Sequence, residues 1–237
     1  MADKFISYSS PMVRALLEDR KTNTRRALTP QPDWIEEVQK TIVHGLVWPI
    51  GSLGQQCGAP IKKPRIEVGD RLWVKEDWRT FVSLDGLKPS EVWSKNQDRG
   101  AGIAYEAGGG LAISKGGKDY HYSHERDEMP PFGKLRKSRF MPKWASRLTL
   151  IVSEVLVQRL EDISEADAIA EGVERDRDGW KQYGTVTLDP SAVWATAKDA
   201  YHDLWDSING VGAWDDNPWV ATYKFSVIKE NIDRIAV

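Results

Sequence analysis

The sequence predicts an α+β fold built around a small β-barrel or strongly bent sheet, and three observations carry that reading. Runs that alternate apolar and polar residues occur at 5–8, 148–157 and 219–228. The helices between them are short and carry cap signals. Hydrophobic residues make up 41% of the 237, enough for a packed core. Strands joined by short helices, without a βαβα alternation, point to α+β rather than α/β.

Taken in order, a strand at 5–8 leads to Ser10-Pro11, an N-cap and first helical position. Met12, Ala15 and Leu16 mark the face of a helix expected to end near Arg20. Arg20-Lys21-Thr22-Asn23-Thr24-Arg25-Arg26 then lies at the helix C-terminus and in the segment leaving it, where cations complement the helix dipole. Residues 29–68 read as a loop-rich insertion with one apolar run at 42–50. Gly69-Asp70 turns into a strand that runs to Val74. Between 79 and 133, a cluster of glycines (Gly108, Gly109, Gly110) accompanies hairpin strands at 102–105 and 119–122.

Beyond the strand at 148–157, Ser164-Glu165-Ala166-Asp167 begins a capped helix that reaches Glu171-Gly172. Asp189-Pro190-Ser191 opens a longer helix, with Val193, Ala197, Tyr201, Leu204 and Ile208 on one stripe and Asn209-Gly210 closing it. The strand at 219–228 ends the pattern. There is no internal repeat. The chain reads as one domain over 1–237, with elaborations at about 79–133 and 174–215.

Composition narrows the function. A net charge of -2 excludes a protein that coats nucleic acid non-specifically, so any such contact must come from local basic patches. One cysteine, Cys57, excludes a disulfide framework and fits a reducing cytoplasm. No run approaches membrane-spanning length. Of the four histidines only His121 and His124 are close, and no zinc, phosphate-loop or dinucleotide motif occurs. No metal or organic cofactor is implied.

Two basic runs could carry chemistry. In the first, Lys21 lies among Arg20, Arg25 and Arg26, and like charges with burial lower a lysine pKa. A lysine so tuned can take the proton of a nearby threonine hydroxyl, and the three-residue spacing to Thr24 lets the two share one side of a turn. The bland alternative is a solvated helix end. In the second run, 134–147, basic residues interleave with Phe140 and Trp144, which suits a groove that tracks a nucleic-acid strand. Trp144 is the candidate for stacking on a base and Arg147 for a polar contact beside it. A solvated loop, or Trp144 packing into a core, is the competing reading.

Three stretches together resemble the ASCH domain family of the PUA-like superfamily: Leu17 to Arg26, Val68 to Val74, and Leu148 to Leu160 followed by Ile163 to Gly172. The closing Trp219 to Phe225 fits the last barrel strand of that family. The family motif Gly-x-Lys-x-x-(Glu or Thr)-x-Arg falls on Asp19, Lys21, Thr24 and Arg26, with Asp19 standing in place of the glycine. In Met141-Pro142-Lys143-Trp144-Ala145-Ser146-Arg147 the chain also resembles longer ASCH-like proteins of phages and prophages. The resemblance implies a small barrel with short flanking helices and loop or hairpin insertions. Among the family's enzymes are amidohydrolases that remove the acetyl group of N(4)-acetylcytidine. By that resemblance Lys21 is the general base, Thr24 the nucleophile, Glu171 the group that activates water or protonates the leaving amine, and Arg26 a positioning group. The expected partner is a modified nucleoside, with RNA as a further possibility. A nucleic-acid-binding module, a ribonuclease and a phage accessory protein that binds a host protein are the alternatives.

Overall fold

The computed structural model describes residues 2–31, 42–43, 46–47, 64–94, 101–113, 119–120, 131–184 and 192–235. It is a mixed α+β chain. One five-stranded sheet has the order β1-β5-β10-β13-β2, and among the described residues it is open at β1 and β2. Its strands are β1 (Asp3–Ser7), β2 (Asn23–Ala27), β5 (Arg71–Lys75), β10 (Thr149–Arg159) and β13 (Trp219–Ile228). The chain divides into two compact units. The first comprises residues 1, 18–70 and 152–226; the second comprises 2–17, 71–151 and 227–237.

In the first unit, β2 pairs antiparallel with β13, with Thr24 opposite Tyr223 and Arg25 opposite Thr222. Helix α3 (Glu165–Ala170) begins at Ser164, whose hydroxyl accepts from the Asp167 amide at 3.1 Å. It stops at Glu171 because Gly172 turns the chain with φ +90°, a conformation glycine adopts without steric cost. Helix α4 (Ala197–Asn209) packs against α3, and Glu165 caps it by accepting from the Ala197 and Lys198 amides at 2.6 and 3.0 Å. The short strands β3 (Ile42–Val43) and β4 (Leu46–Val47) form a two-stranded ladder, as do β11 (Arg175–Asp176) and β12 (Gly179–Trp180); the rest of the apolar run at 42–50 lies outside the described residues.

The helix expected from Asp189-Pro190-Ser191 begins later than the sequence suggests. Those three residues lie outside the described set. Trp194 is extended and exchanges two backbone hydrogen bonds with Trp180, at 2.9 and 2.8 Å, so Val193 belongs to no helical stripe. Thr196 is the N-cap, and its hydroxyl accepts from the Asp199 amide at 3.1 Å. Ile208 is 60% exposed and leaves the buried stripe to Ala197, Tyr201 and Leu204.

In the second unit, β1 pairs parallel with β5, helix α1 (Ser10–Leu17) buries Met12, Val13, Ala15 and Leu16, and the short α2 (Pro89–Ser94) buries Val92. The helix ends at Leu17, three residues before the expected Arg20. A separate sheet runs β6-β7-β8-β9, from β6 (Trp78–Thr80) through β7 (Ala101–Tyr105) and β8 (Gly110–Ile113) to β9 (Asp119–Tyr120). The strand at 102–105 therefore hairpins with β8, and β9 with the far side of β8. Trp78, Ile103, Tyr105, Met141 and Ala145 form its buried core.

Candidate active site

Asp19 shows how the chain enters the site. Its φ is +58°, the left-handed region that glycine favours and that aspartate, with its short polar side chain, tolerates better than most. The turn that a glycine would make is thus made without one. Two backbone hydrogen bonds then fix the segment that leaves it: Thr22 N–H donates to the Ala170 carbonyl at 2.9 Å, and Phe225 N–H donates to the Thr22 carbonyl at 3.0 Å. Lys21 is set against the end of α3 as a consequence.

The Lys21 ammonium nitrogen, Nζ, donates to the Glu171 carbonyl at 2.7 Å and to Glu171 Oε2 at 2.8 Å. Arg25 Nη1 donates to the other carboxylate oxygen, Oε1, at 3.0 Å, and its Nη2 lies 3.4 Å from Asp167 Oδ2. Asn23 joins the same face by donating to Asp167 Oδ1 at 3.1 Å. Lys21, Arg25 and Glu171 are each only 2% exposed. Burial, and then the Glu171 charge, raise the pKa of the Tyr201 phenol, which α4 brings, well above the usual value.

Burial is also the largest influence on Lys21, and it lowers the pKa from the ordinary 10.5. Glu171 opposes this, while Arg26 and Arg25 reinforce it. Arg20 takes no part: it donates to Glu18 at 2.7 Å and to the Gly172 carbonyl at 2.9 Å. Of the two influences expected on the lysine, burial comes first, and Arg26 and Arg25, but not Arg20, add to it.

Thr24 is buried at 1% exposure, one position out of phase with Asn23 and Arg25. Successive side chains of a strand point to opposite faces. Thr24 therefore shares its face with Arg26 and with Tyr223 across the ladder, while Arg25 shares the opposite face with Thr222. The expected turn at 21–24 is a strand from Asn23 onward. Arg26 is exposed and donates to the Arg25 carbonyl at 3.3 Å.

Trp144 and Arg147 belong to the second unit. The half-buried Trp144 ring meets Trp78 edge-on at 6.2 Å and Trp93 at 5.6 Å. Arg147 forms a fork on Glu76, with both bonds at 2.8 Å, and lies 4.0 Å over the Tyr105 ring. Burial raises the Glu76 pKa and Arg147 counters it. Most cations of the 134–147 run are similarly engaged. Arg136 donates to the Leu84 and Leu87 carbonyls, Lys137 pairs with Asp77, and Lys143 pairs with Asp3 and Asp233. As a continuous strand track the run is largely consumed by its own unit.

Arg25 and Tyr201 are the site residues that sequence reasoning placed elsewhere. Arg25 stood in the basic run as a source of repulsion, and only the two-residue period of β2 turns it toward Glu171. Tyr201 read as core on an apolar stripe, although a buried phenol generally needs a partner. Among the described residues no group of three or more His, Cys, Asp or Glu side chains is arranged to hold a metal. Cys57, His44, His121 and His124 lie outside them. No family model, curated protein or solved structure matches this chain.

Proposed function

We propose that the chain is an amidohydrolase that removes the acyl group from N(4)-acetylcytidine or a related N(4)-acylated cytosine nucleoside, on a PUA-like ASCH barrel. The observation that carries this reading is the buried contact between Lys21 and Glu171 at 2.8 Å, made by residues 150 positions apart. A lysine whose pKa is lowered by burial gives up its proton more readily than a free one, and a carboxylate held by two cations is fixed in orientation. The left-handed Asp19 supports the match to the glycine-bearing motif.

In this reading neutral Lys21 takes the proton of the Thr24 hydroxyl as its oxygen attacks the acyl carbon. The Lys21 ammonium then returns that proton to the departing N(4) amine, leaving acyl-Thr24 and cytidine. Glu171 then takes a proton from the water that attacks the ester, and that proton passes to the Thr24 oxygen as the acid leaves and the hydroxyl is restored. Arg26 positions the strand that carries the nucleophile. A panel of N(4)-acylated cytidines tests the reading through release of cytidine, with Lys21→Ala and Thr24→Ala as controls. Thr24→Ala decides the nucleophile. If it keeps near-normal turnover, water attacks the amide directly from the Glu171 side of β2, and Thr24 loses its role.

A further inference from the structure

In the second unit the outer face of β1 and β5 gathers exposed and half-buried rings and cations that no part of the proposed hydrolysis uses. The register sets Asp3, Phe5 and Ser7 beside Arg71, Trp73 and Lys75. Alternation puts all six on one face, while Ile6, Leu72 and Val74 point into the core. Phe5 is 53% exposed, and its ring lies 5.7 Å from that of Trp73. The Lys75 ammonium stands over both rings, 4.4 Å from Phe5 and 5.0 Å from Trp73. Its Nζ also donates to the Arg139 carbonyl at 3.0 Å, which ties the next exposed ring to the same patch. That ring is Phe140, also 53% exposed, with the Arg139 guanidinium 4.7 Å from its centroid.

Single exposed apolar residues are ordinary. Here three rings, each with a cation over its face, are collected by one lysine. Arg71 and Lys143 extend the charge, and of the carboxylates they touch, Asp3 serves both and Asp233 serves Lys143 alone. Four cations against two carboxylates leave the patch positive in a chain whose net charge is -2. Flat π faces for stacking, flanked by cations for phosphates, are the two components of a platform for single-stranded nucleic acid. We infer that this face binds a single-stranded nucleic acid, with bases stacked on Phe5, Trp73 and Phe140 and phosphates on Lys75 and Arg139. A duplex, whose bases are stacked on one another, cannot offer the rings those faces.

The test is fluorescence anisotropy of the full chain with a labelled single-stranded RNA dodecamer of mixed sequence, the DNA equivalent and a matched duplex. Single strands should bind more tightly than the duplex, and affinity should fall as salt rises. Phe5→Ala and Phe140→Ala should each weaken binding roughly tenfold, as loss of one stacked base does. Lys75→Gln should lower the slope of log affinity against log salt by about one. These variants leave hydrolysis of a free acylated nucleoside unchanged, so failure here and failure of the hydrolase reading are separate results. Unchanged affinity in Phe5→Ala, or no preference for single strands, overturns the inference. So does a Phe5→Ala variant that alters the sedimentation coefficient while RNA affinity stays constant, because the face then belongs to a second copy of the chain.

Discussion

At Glu171 one carboxylate holds two cations away from water, with Lys21 on one oxygen and Arg25 on the other. Removing one partner of a buried ion pair leaves the rest uncompensated and costs roughly 3–5 kcal/mol. Glu171→Ala should therefore lower the melting temperature sharply, and a variant that melts like the wild type would mean the cluster is solvated. The pH dependence follows from Lys21. Its folded pKa lies below the unfolded 10.5, so the unfolded chain binds the extra proton between the two values. The contribution of this group to stability is complete above 10.5 and is lost as pH falls through the folded value. Activity that needs the neutral amine should rise with pH along a limb below 10.5. Arg26→Gln removes a charge that depresses the lysine, so the limb should move upward yet stay below 10.5, because burial is the larger influence. A limb unchanged in Arg26→Gln would remove Arg26 from the tuning of Lys21.

The elements that present these residues were legible where the signal was local. Ser164 as cap, Gly172 as terminator and the strand Trp219–Ile228 all stand where the sequence puts them. Legibility failed where distant pairing decides. Trp194 is held extended by Trp180, which delays α4 to Ala197, and β13 draws half of the basic run into a strand. The two-residue period of that strand, which no local pattern in Arg20 to Arg26 announces, directs Arg25 rather than Thr24 toward Glu171. Element-level predictions concern the two ends of the site. Ser164→Ala should cost about 1 kcal/mol of stability through the lost cap, read by denaturant unfolding. Asp19→Gly should leave activity intact and stability equal or higher, since φ +58° suits glycine. A loss of activity in Asp19→Gly would show that the carboxylate, and not the turn, is what the site requires.

Across the whole molecule, the 11 tryptophans serve mainly as packing where they are described. Trp78 and Trp180 are buried, and Trp144 lies against Trp78 and Trp93. Trp144→Ala should cost about 3 kcal/mol of stability, the lower end for a large aromatic. A stable variant with weakened nucleoside binding would instead place that ring against substrate. The 174–215 segment, which reads as an elaboration on a compact barrel, supplies Tyr201 to Glu171 and receives a cap from Glu165. It is part of the site's support. The proposed acyl removal rests on the buried Lys21–Glu171 pair. The most direct measurement is chromatographic detection of cytidine released from N(4)-acetylcytidine by the wild type and by Lys21→Ala at matched folded concentration. Release by the wild type that falls at least a hundredfold in Lys21→Ala is the predicted result, the scale of a lost general base. Release that is undiminished in the variant, or absent from the wild type across the acyl panel, would contradict it.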